Sequence, residues 1–138
     1  MDIEIFTLCD YAEAITGKLI IVGAFDTIFA NKLPTNFPMC TVTARIRYHS
    51  SEGGDTAIQL RITSPDNDNL IPPLRTNVNF PIKPGAESMS TNIVLTIQGL
   101  PIKTYARHSV TLSIHGQDLR KLPLFVVQPR EQISETNN

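Results

Sequence analysis

Three residues near the C-terminal end of this 138-residue chain have the types that a hydrolytic site needs. Ser113 and His115 lie two positions apart, and Asp118 follows three positions later. Nucleophilic catalysis requires the hydroxyl and the imidazole to lie within hydrogen-bond distance. On a strand, however, such side chains are rooted about 6.5–7 Å apart, and no Gly-x-Ser-x-Gly turn is present. We therefore expect all three on the solvated surface and predict that the protein is not an enzyme. The alternative, an enzyme, would require them to converge.

The run Asp66–Asn69 offers oxygen atoms of the kind that calcium prefers. An EF-hand loop would need Gly at position six and an acidic residue at position twelve, where this chain has Ile71 and Asn77. We predict a turn here, with a weak loop site as the alternative, and otherwise no metal and no cofactor. The histidines lack metal-ligand spacing and are expected on the surface: His49, His108 and His115.

The two cysteines and the charge balance indicate a cytoplasmic setting. Cys9 and Cys40 are the only cysteines, and we expect both to be small buried apolar residues. The first residues, Met1 to Glu4, are acidic, unlike a signal peptide. The longest apolar run, Leu19 to Val22, is too short to span a bilayer. A net charge of −1 gives no general attraction to nucleic acid or anionic membrane, so we expect neither as a partner.

Three arginines form the clearest charged cluster that the sequence suggests. Arg45 and Arg47 lie on the polar side of one alternating segment, and Arg61 lies on that of the next. If these segments pair as a hairpin centred on Gly53, Arg45 lies opposite Arg61, where like charges destabilise the pair. A register shifted by two residues would remove the clash. Otherwise we expect an acidic group over the cluster, either a carboxylate of this chain or an anionic ligand or partner.

The elements that must position these residues follow from an alternation of side chains. From Cys40 to His49 every even residue is core-like and every odd residue is polar, which is typical of a half-buried strand. About eight such segments are separated by turn residues. We predict an all-β fold, a single-domain antiparallel β-sandwich of about seven or eight strands and immunoglobulin-like character. The domain is expected to span residues 1–128, followed by a flexible tail at 129–138. A partly open barrel is the second choice.

Three segments deserve separate predictions. Segment 9–15 is expected to be an irregular or bulged strand, and Ala30 to Pro38 a loop. Segment 74–82 is expected at a sheet edge, because the prolines around it remove backbone donors.

Strand 18–25 departs from the alternation. Leu19, Ile20, Ile21 and Val22 would place apolar side chains on both faces, yet a two-layer sandwich covers only one. Leaving two of these side chains in water would lose roughly 3–5 kcal/mol of the stabilisation that burial gives. We expect the second face to be covered by segment 9–15, by loop 29–38 or by another subunit, and we predict an interface at these four residues.

Two stretches resemble a family of short, uncharacterised bacterial proteins, a domain of unknown function. The first stretch is Cys9-Asp10-Tyr11-Ala12, followed by Gly17-Lys18-Leu19 and Val22-Gly23. The second is Tyr105 to Gly116, followed by Leu122 to Val126, which is similar to the last hairpin of many immunoglobulin-like sandwiches. The resemblance implies a stand-alone sandwich in a bacterial cytoplasm and supplies no activity, cofactor or catalytic residue.

These patterns together predict a non-catalytic cytoplasmic interaction or scaffolding protein that associates with itself or with a protein partner. The alternative function is a small-ligand or anion-binding module that uses Arg45, Arg47 and Arg61. No small molecule is identified by the sequence.

Overall fold

The computed structural model describes residues 1–130, and strands make up most of this range. In chain order they are β1 (Asp2–Ile15), β2 (Lys18–Phe25), β3 (Thr27–Phe29), β4 (Thr35–Tyr48), β5 (Gly54–Thr63), β6 (Leu74–Phe80), β7 (Met89–Ile102), β8 (Arg107–Ile114) and β9 (Gln117–Val127). A short 3₁₀ turn, Ser50–Glu52, lies between β4 and β5. Most of the predicted tail, residues 131–138, lies outside the described residues. Within residues 1–130 no helix has the length and apolar character needed to cross a membrane.

The strands form two sheets that enclose a common core. One sheet has the order β2-β1-β4-β7 and the other β3-β9-β8-β5-β6, and one of the two is strongly curled. Neighbouring strands are antiparallel except for β3, whose three residues run parallel to β9. The predicted all-β sandwich is confirmed.

The core is built from the rows of apolar side chains that the alternation predicts. Every even residue of β4 from Cys40 to Tyr48 is buried, and so are the alternate residues Ile58, Leu60 and Ile62 of β5. Because successive side chains of a strand point to opposite faces, one such row per strand is enough to line the interior.

The predicted hairpin between the segments that became β4 and β5 is wrong. β4 pairs with β1 and β7, whereas β5 pairs with β6 and β8 in the other sheet. The turn at Ser50–Glu52 carries the chain from one sheet to the other. Alternation fixes which side chains face the core, but it is the same for a hairpin and for a crossover between sheets, so it did not distinguish them.

The strand predicted at segment 9–15 is the second half of β1, and its pairing with β2 skips Asp10. The predicted loop at Ala30 to Pro38 is shorter than expected, because Thr35 to Pro38 belong to β4 and only five residues, 30–34, remain. The edge position of β6 is confirmed. Pro73 and Pro81 flank this strand, where they cannot donate to a neighbour.

Candidate interaction surface

The second half of β1 and the whole of β2 form a two-stranded ribbon, residues 8–25. Their register runs from Leu8 opposite Phe25 to Ile15 opposite Lys18. The two residues between the strands, Thr16 and Gly17, have φ values of 50° and 76°. Two central residues with positive φ form the type I′ turn that suits the twist of a tight hairpin.

The ribbon lies against the outer face of its own sheet. The Gly17 carbonyl accepts hydrogen bonds from Arg45 Nη1 at 3.3 Å and from Asn92 Nδ2 at 3.4 Å. Arg45 and Asn92 are cross-strand neighbours on β4 and β7, and alternation places them on the face opposite the core. Thr41 and Thr43 of the same row are buried. The ribbon therefore covers the part of the outer face that the sequence analysis left to solvent.

The two faces of the ribbon differ in exposure. On one face Ala12 is buried and Leu19 and Ile21 are half-buried. On the other face every residue from Tyr11 to Val22 is exposed, including four large apolar side chains. These exposed side chains are Tyr11 (50% exposed), Ile15 (43%), Ile20 (44%) and Val22 (52%). We call this the ribbon face; it also contains Glu13 and Lys18.

The predicted interface at residues 19–22 is thus divided by the structure. Leu19 and Ile21 lie on the face turned toward the sheet, whereas Ile20 and Val22 lie on the ribbon face. Within residues 1–130 no segment of the chain covers the ribbon face. Segment 9–15 was one of the segments expected to cover the second face of strand 18–25. It pairs with this strand edge to edge and does not cover that face.

Gly23 allows the ribbon to bend. Its φ is +69°, and a Cβ atom at this position would overlap the Asp10 carboxylate. The overlapping atoms belong to the exposed Asp10 side chain, which can rotate away, so it is mainly the positive φ that favours glycine here.

We expect Gly23→Ala to lower the free energy of unfolding by about 1–2 kcal/mol, the cost of a left-handed alanine, because Asp10 can rotate away from the added Cβ. Gly17→Ala is the matched control: its φ is +76° and no atom lies within 4 Å of the added Cβ. It should cost about as much. Urea unfolding followed by circular dichroism measures both, and a much larger loss at Gly23 would contradict the expectation that Asp10 moves aside.

The three arginines do not form one cluster. Arg45 and Arg47 lie on β4 and share Glu4 of β1, with Nε–carboxylate distances of 3.2 Å and 2.7 Å. Arg61 lies on β5 in the other sheet and donates to both oxygens of Asp118 at 2.7 Å. The prediction of a common patch on one hairpin is wrong because β4 and β5 do not pair. Each guanidinium has a carboxylate of this chain beside it, and anion binding stays a prediction.

Glu4 is expected to affect the acid stability of the fold. Its hydrogen bond from Arg47 lowers the pKa of its carboxyl group, and Arg45 adds to this shift while partial burial opposes it. A carboxyl group with a lowered folded-state pKa stabilises the fold above its unfolded-state pKa, and this contribution is lost as the pH falls. Glu4→Gln should therefore lower the melting temperature at neutral pH, and its difference from wild type should shrink below about pH 4. Thermal melts from pH 7 to about pH 3 measure this. The exposed Glu87, which forms no side-chain ion pair within residues 1–130, gives the control Glu87→Gln, which removes a carboxylate without removing an ion pair.

The hydrolytic set does not assemble. Ser113 is buried, with 3% of its surface exposed, so its predicted solvation is wrong. Its Oγ donates to Asp118 Oδ1 at 2.5 Å, next to the Arg61 contact, and these bonds hold the pKa of Asp118 below its ordinary value. His115 lies in the exposed turn that follows β8, with φ 50°. The Ser113 hydroxyl is thus bonded to a carboxylate and not to an imidazole that could accept its proton.

The burial of His108 was not predicted either. This residue was expected on the surface, but only 2% of it is exposed and its Nε2 lies 3.2 Å from the Thr104 carbonyl. That carbonyl can only accept, so Nε2 carries a proton in this contact. The alternation along β8 indicates this burial, because His108 lies on the same inward row as Val110 and Leu112.

A cavity of about 430 Å³ lies beside His108, between the loop at 64–70 and the loop at 103–106. The imidazole Nδ1 has no hydrogen-bond partner within residues 1–130, but its exposed surface is below 1 Å², so a molecule in the cavity does not reach it. Asp66 and Asp68 line the outer wall. No group of three or more His, Cys, Asp or Glu side chains in the described range is arranged to hold a metal ion.

Both cysteines are free and buried, which confirms their prediction as small apolar residues. Burial raises the pKa of Cys40 to about 11, and the nearby Cys9 thiol contributes to the shift. A thiol with this pKa is almost entirely protonated at neutral pH, and the thiolate is the reactive form.

Comparison with known proteins gives one match. A family model described as "Family of unknown function (DUF6941)" matches residues 4–127, which is nearly all of the described chain. No curated protein and no solved structure matches.

Proposed function

Because the chain belongs to DUF6941, a family of unknown function, we propose its role from the geometry of the ribbon: it is a non-catalytic interaction protein that associates with a second copy of itself. A bacterial cytoplasm is the setting that goes with this proposal. The two free, buried thiols are compatible with such a reducing compartment.

The observation that supports this function is the exposure of the ribbon face. Four of the nine large apolar side chains that are exposed in residues 1–130 lie together on this short hairpin: Tyr11, Ile15, Ile20 and Val22. Cross-strand neighbours such as Tyr11 and Val22 make the surface contiguous. Single exposed apolar residues are ordinary on a soluble protein, whereas a contiguous group of them is typical of an interaction site.

The charges of the ribbon face favour a second copy as the partner. The face has one acidic residue, Glu13, and one basic residue, Lys18, and its net charge is zero. A two-fold interface brings the same surface together twice, so the surface must be complementary to itself. A face with many charges of one sign would repel its copy. The ribbon face has no excess charge of either sign, so this repulsion is absent.

Sedimentation velocity over a roughly hundredfold range of concentration tests the proposal. We expect the sedimentation coefficient to rise from the monomer value to the dimer value as the concentration increases. A protein that stays monomeric up to about 1 mM would have no self-association of functional strength, and the proposal would be wrong.

A further inference from the structure

The free edge of β2 presents a defined set of backbone groups. β2 is the outermost strand of its sheet and pairs only with β1. Ile15 and Lys18 flank a two-residue turn, and in such a hairpin the flanking pair exchanges both of its hydrogen bonds. Since bonded and non-bonded pairs alternate, Ile20 and Val22 also point their N–H and C=O groups toward β1. The same groups of Leu19 and Ile21 then point away from the sheet, toward the free edge.

We propose that two copies of this chain join by antiparallel pairing of their β2 strands, with Leu19 of each copy opposite Ile21 of the other. This inference rests on the self-association proposed above and places its contact at the edge of the ribbon, so that the two ribbon faces lie side by side on one side of the joint sheet. Each Leu19–Ile21 pair can exchange two backbone hydrogen bonds, so the dimer gains four. The two sheets become one continuous sheet across a two-fold axis that passes beside Ile20.

The bend at Gly23 selects this register. Gly23 has a φ of +69°, and its pairing with Asp10 is interrupted within the ribbon. The regular part of the edge therefore spans Lys18 to Val22, and its midpoint is Ile20. A register centred one residue further along would require the distorted Gly23 to exchange hydrogen bonds. Toward the turn, the Gly17 carbonyl is already bonded to Arg45 and Asn92.

The side chains agree with the same register. On the ribbon face Ile20 lies beside Ile20 of the partner subunit, and Lys18 lies beside Val22 of the partner subunit. No two like charges are opposed, since Glu13 lies one strand further from the axis on each side. Because the pairing is isologous, it uses both β2 edges and stops at a dimer.

Two of the other edge strands are less suited to such pairing. β6 is flanked by Pro73 and Pro81. β3 has only three residues. Prolines and very short strands are known protections of sheet edges against pairing with another chain, and β2 has neither.

Amide hydrogen exchange, measured residue by residue by NMR at a low and a high protein concentration, tests the pairing. We expect the Leu19 and Ile21 amides to exchange at least about tenfold more slowly at the high concentration, because they become bonded only in the dimer. The Ile20 and Val22 amides, already bonded to β1, should change little and serve as internal controls. Unchanged exchange at Leu19 and Ile21 in a sample that sedimentation shows to be dimeric would overturn this pairing, while self-association would stand. A sample that is monomeric throughout would overturn both.

A variant gives a second test. Ile21→Pro removes the N–H that points to the free edge and leaves the bonds between β1 and β2 in place. Two hydrogen bonds are lost per dimer, so association should weaken about 30-fold. If the variant unfolds, the exchange measurement on the wild-type protein still decides. If it folds and dimerises as tightly as wild type, the edge is not the contact.

Discussion

Ile20→Asp is expected to weaken self-association about tenfold and to leave the fold intact. The side chain of Ile20 is 44% exposed and lies on the ribbon face, so the monomer keeps its core. In the dimer two copies of the new carboxylate would lie next to each other beside apolar neighbours. The variant loses the apolar contact between the two Ile20 side chains, and like charges directly opposed add repulsion. Sedimentation velocity measures the change in dissociation constant, and a thermal melt verifies the fold.

The matched control for this variant is Phe29→Asp. Phe29 is 67% exposed, so it is at least as accessible as Ile20, but it lies on β3 in the other sheet. The same change from an apolar to an acidic residue should leave the dissociation constant unchanged there. If both variants weaken association equally, the loss reflects the added charge on the protein and not a contact at the ribbon face. Association that survives Ile20→Asp would place the interface elsewhere.

The direction of each strand side chain was predictable from the sequence, because it depends only on neighbouring residues. Whether a side chain of a strand points inward depends only on its position in an alternating row, and Cys40, Ile46 and Ile58 are buried as predicted. Which strands pair depends on contacts between distant segments. The alternation of the β4 and β5 segments fits a hairpin as well as a crossover, and the structure has the crossover.

At the ribbon, too, the local pattern was predictable from the sequence and the contacts between distant segments were not. The run Leu19–Val22 correctly indicated a strand with apolar side chains on both faces. The run did not predict that β1 continues past Cys9, turns at Thr16 and Gly17, and lies over the outer face of its own sheet. At the turn, Arg45 and Asn92 of that face donate to the Gly17 carbonyl. Alternation along β2 then leaves Leu19 and Ile21 half-buried while Ile20 and Val22 face water.

Small residues on the outer face of the sheet indicate that another segment covers it. Cys9, Thr41 and Thr43 lie on the outer face of the sheet, where long charged side chains are more usual, and all three are buried. The Thr43 hydroxyl donates to the Ile93 carbonyl at 2.7 Å and so needs no water. A row of small side chains on the polar face of a central strand is what a covering ribbon requires, because it leaves room for a second layer.

Phe80→Ala is expected to cause the largest loss of stability, about 3–5 kcal/mol, as is usual when a fully buried aromatic side chain is truncated. Phe80 has no exposed surface and ends the edge strand β6. Its ring lies 4.9 Å, centroid to centroid, from that of Tyr48 at the end of β4. The pair thus joins the two sheets at the end where the chain crosses between them. Chemical denaturation in urea, followed by far-ultraviolet circular dichroism, measures the loss.

The polar half of this contact is weaker and can be separated from the packing. The Tyr48 hydroxyl donates to the Pro81 carbonyl at 2.6 Å and accepts from Thr91 Oγ1 at 3.3 Å, so Tyr48→Phe removes two hydrogen bonds and should cost about 1–2 kcal/mol. Val78, half-buried on the same strand as Phe80, supplies the packing control. Because its side chain is smaller and less buried, Val78→Ala should also cost only about 1 kcal/mol. If Phe80→Ala costs no more than Val78→Ala, the Phe80–Tyr48 contact does not hold the sheets together, and the closure of the sandwich must depend on its apolar rows alone.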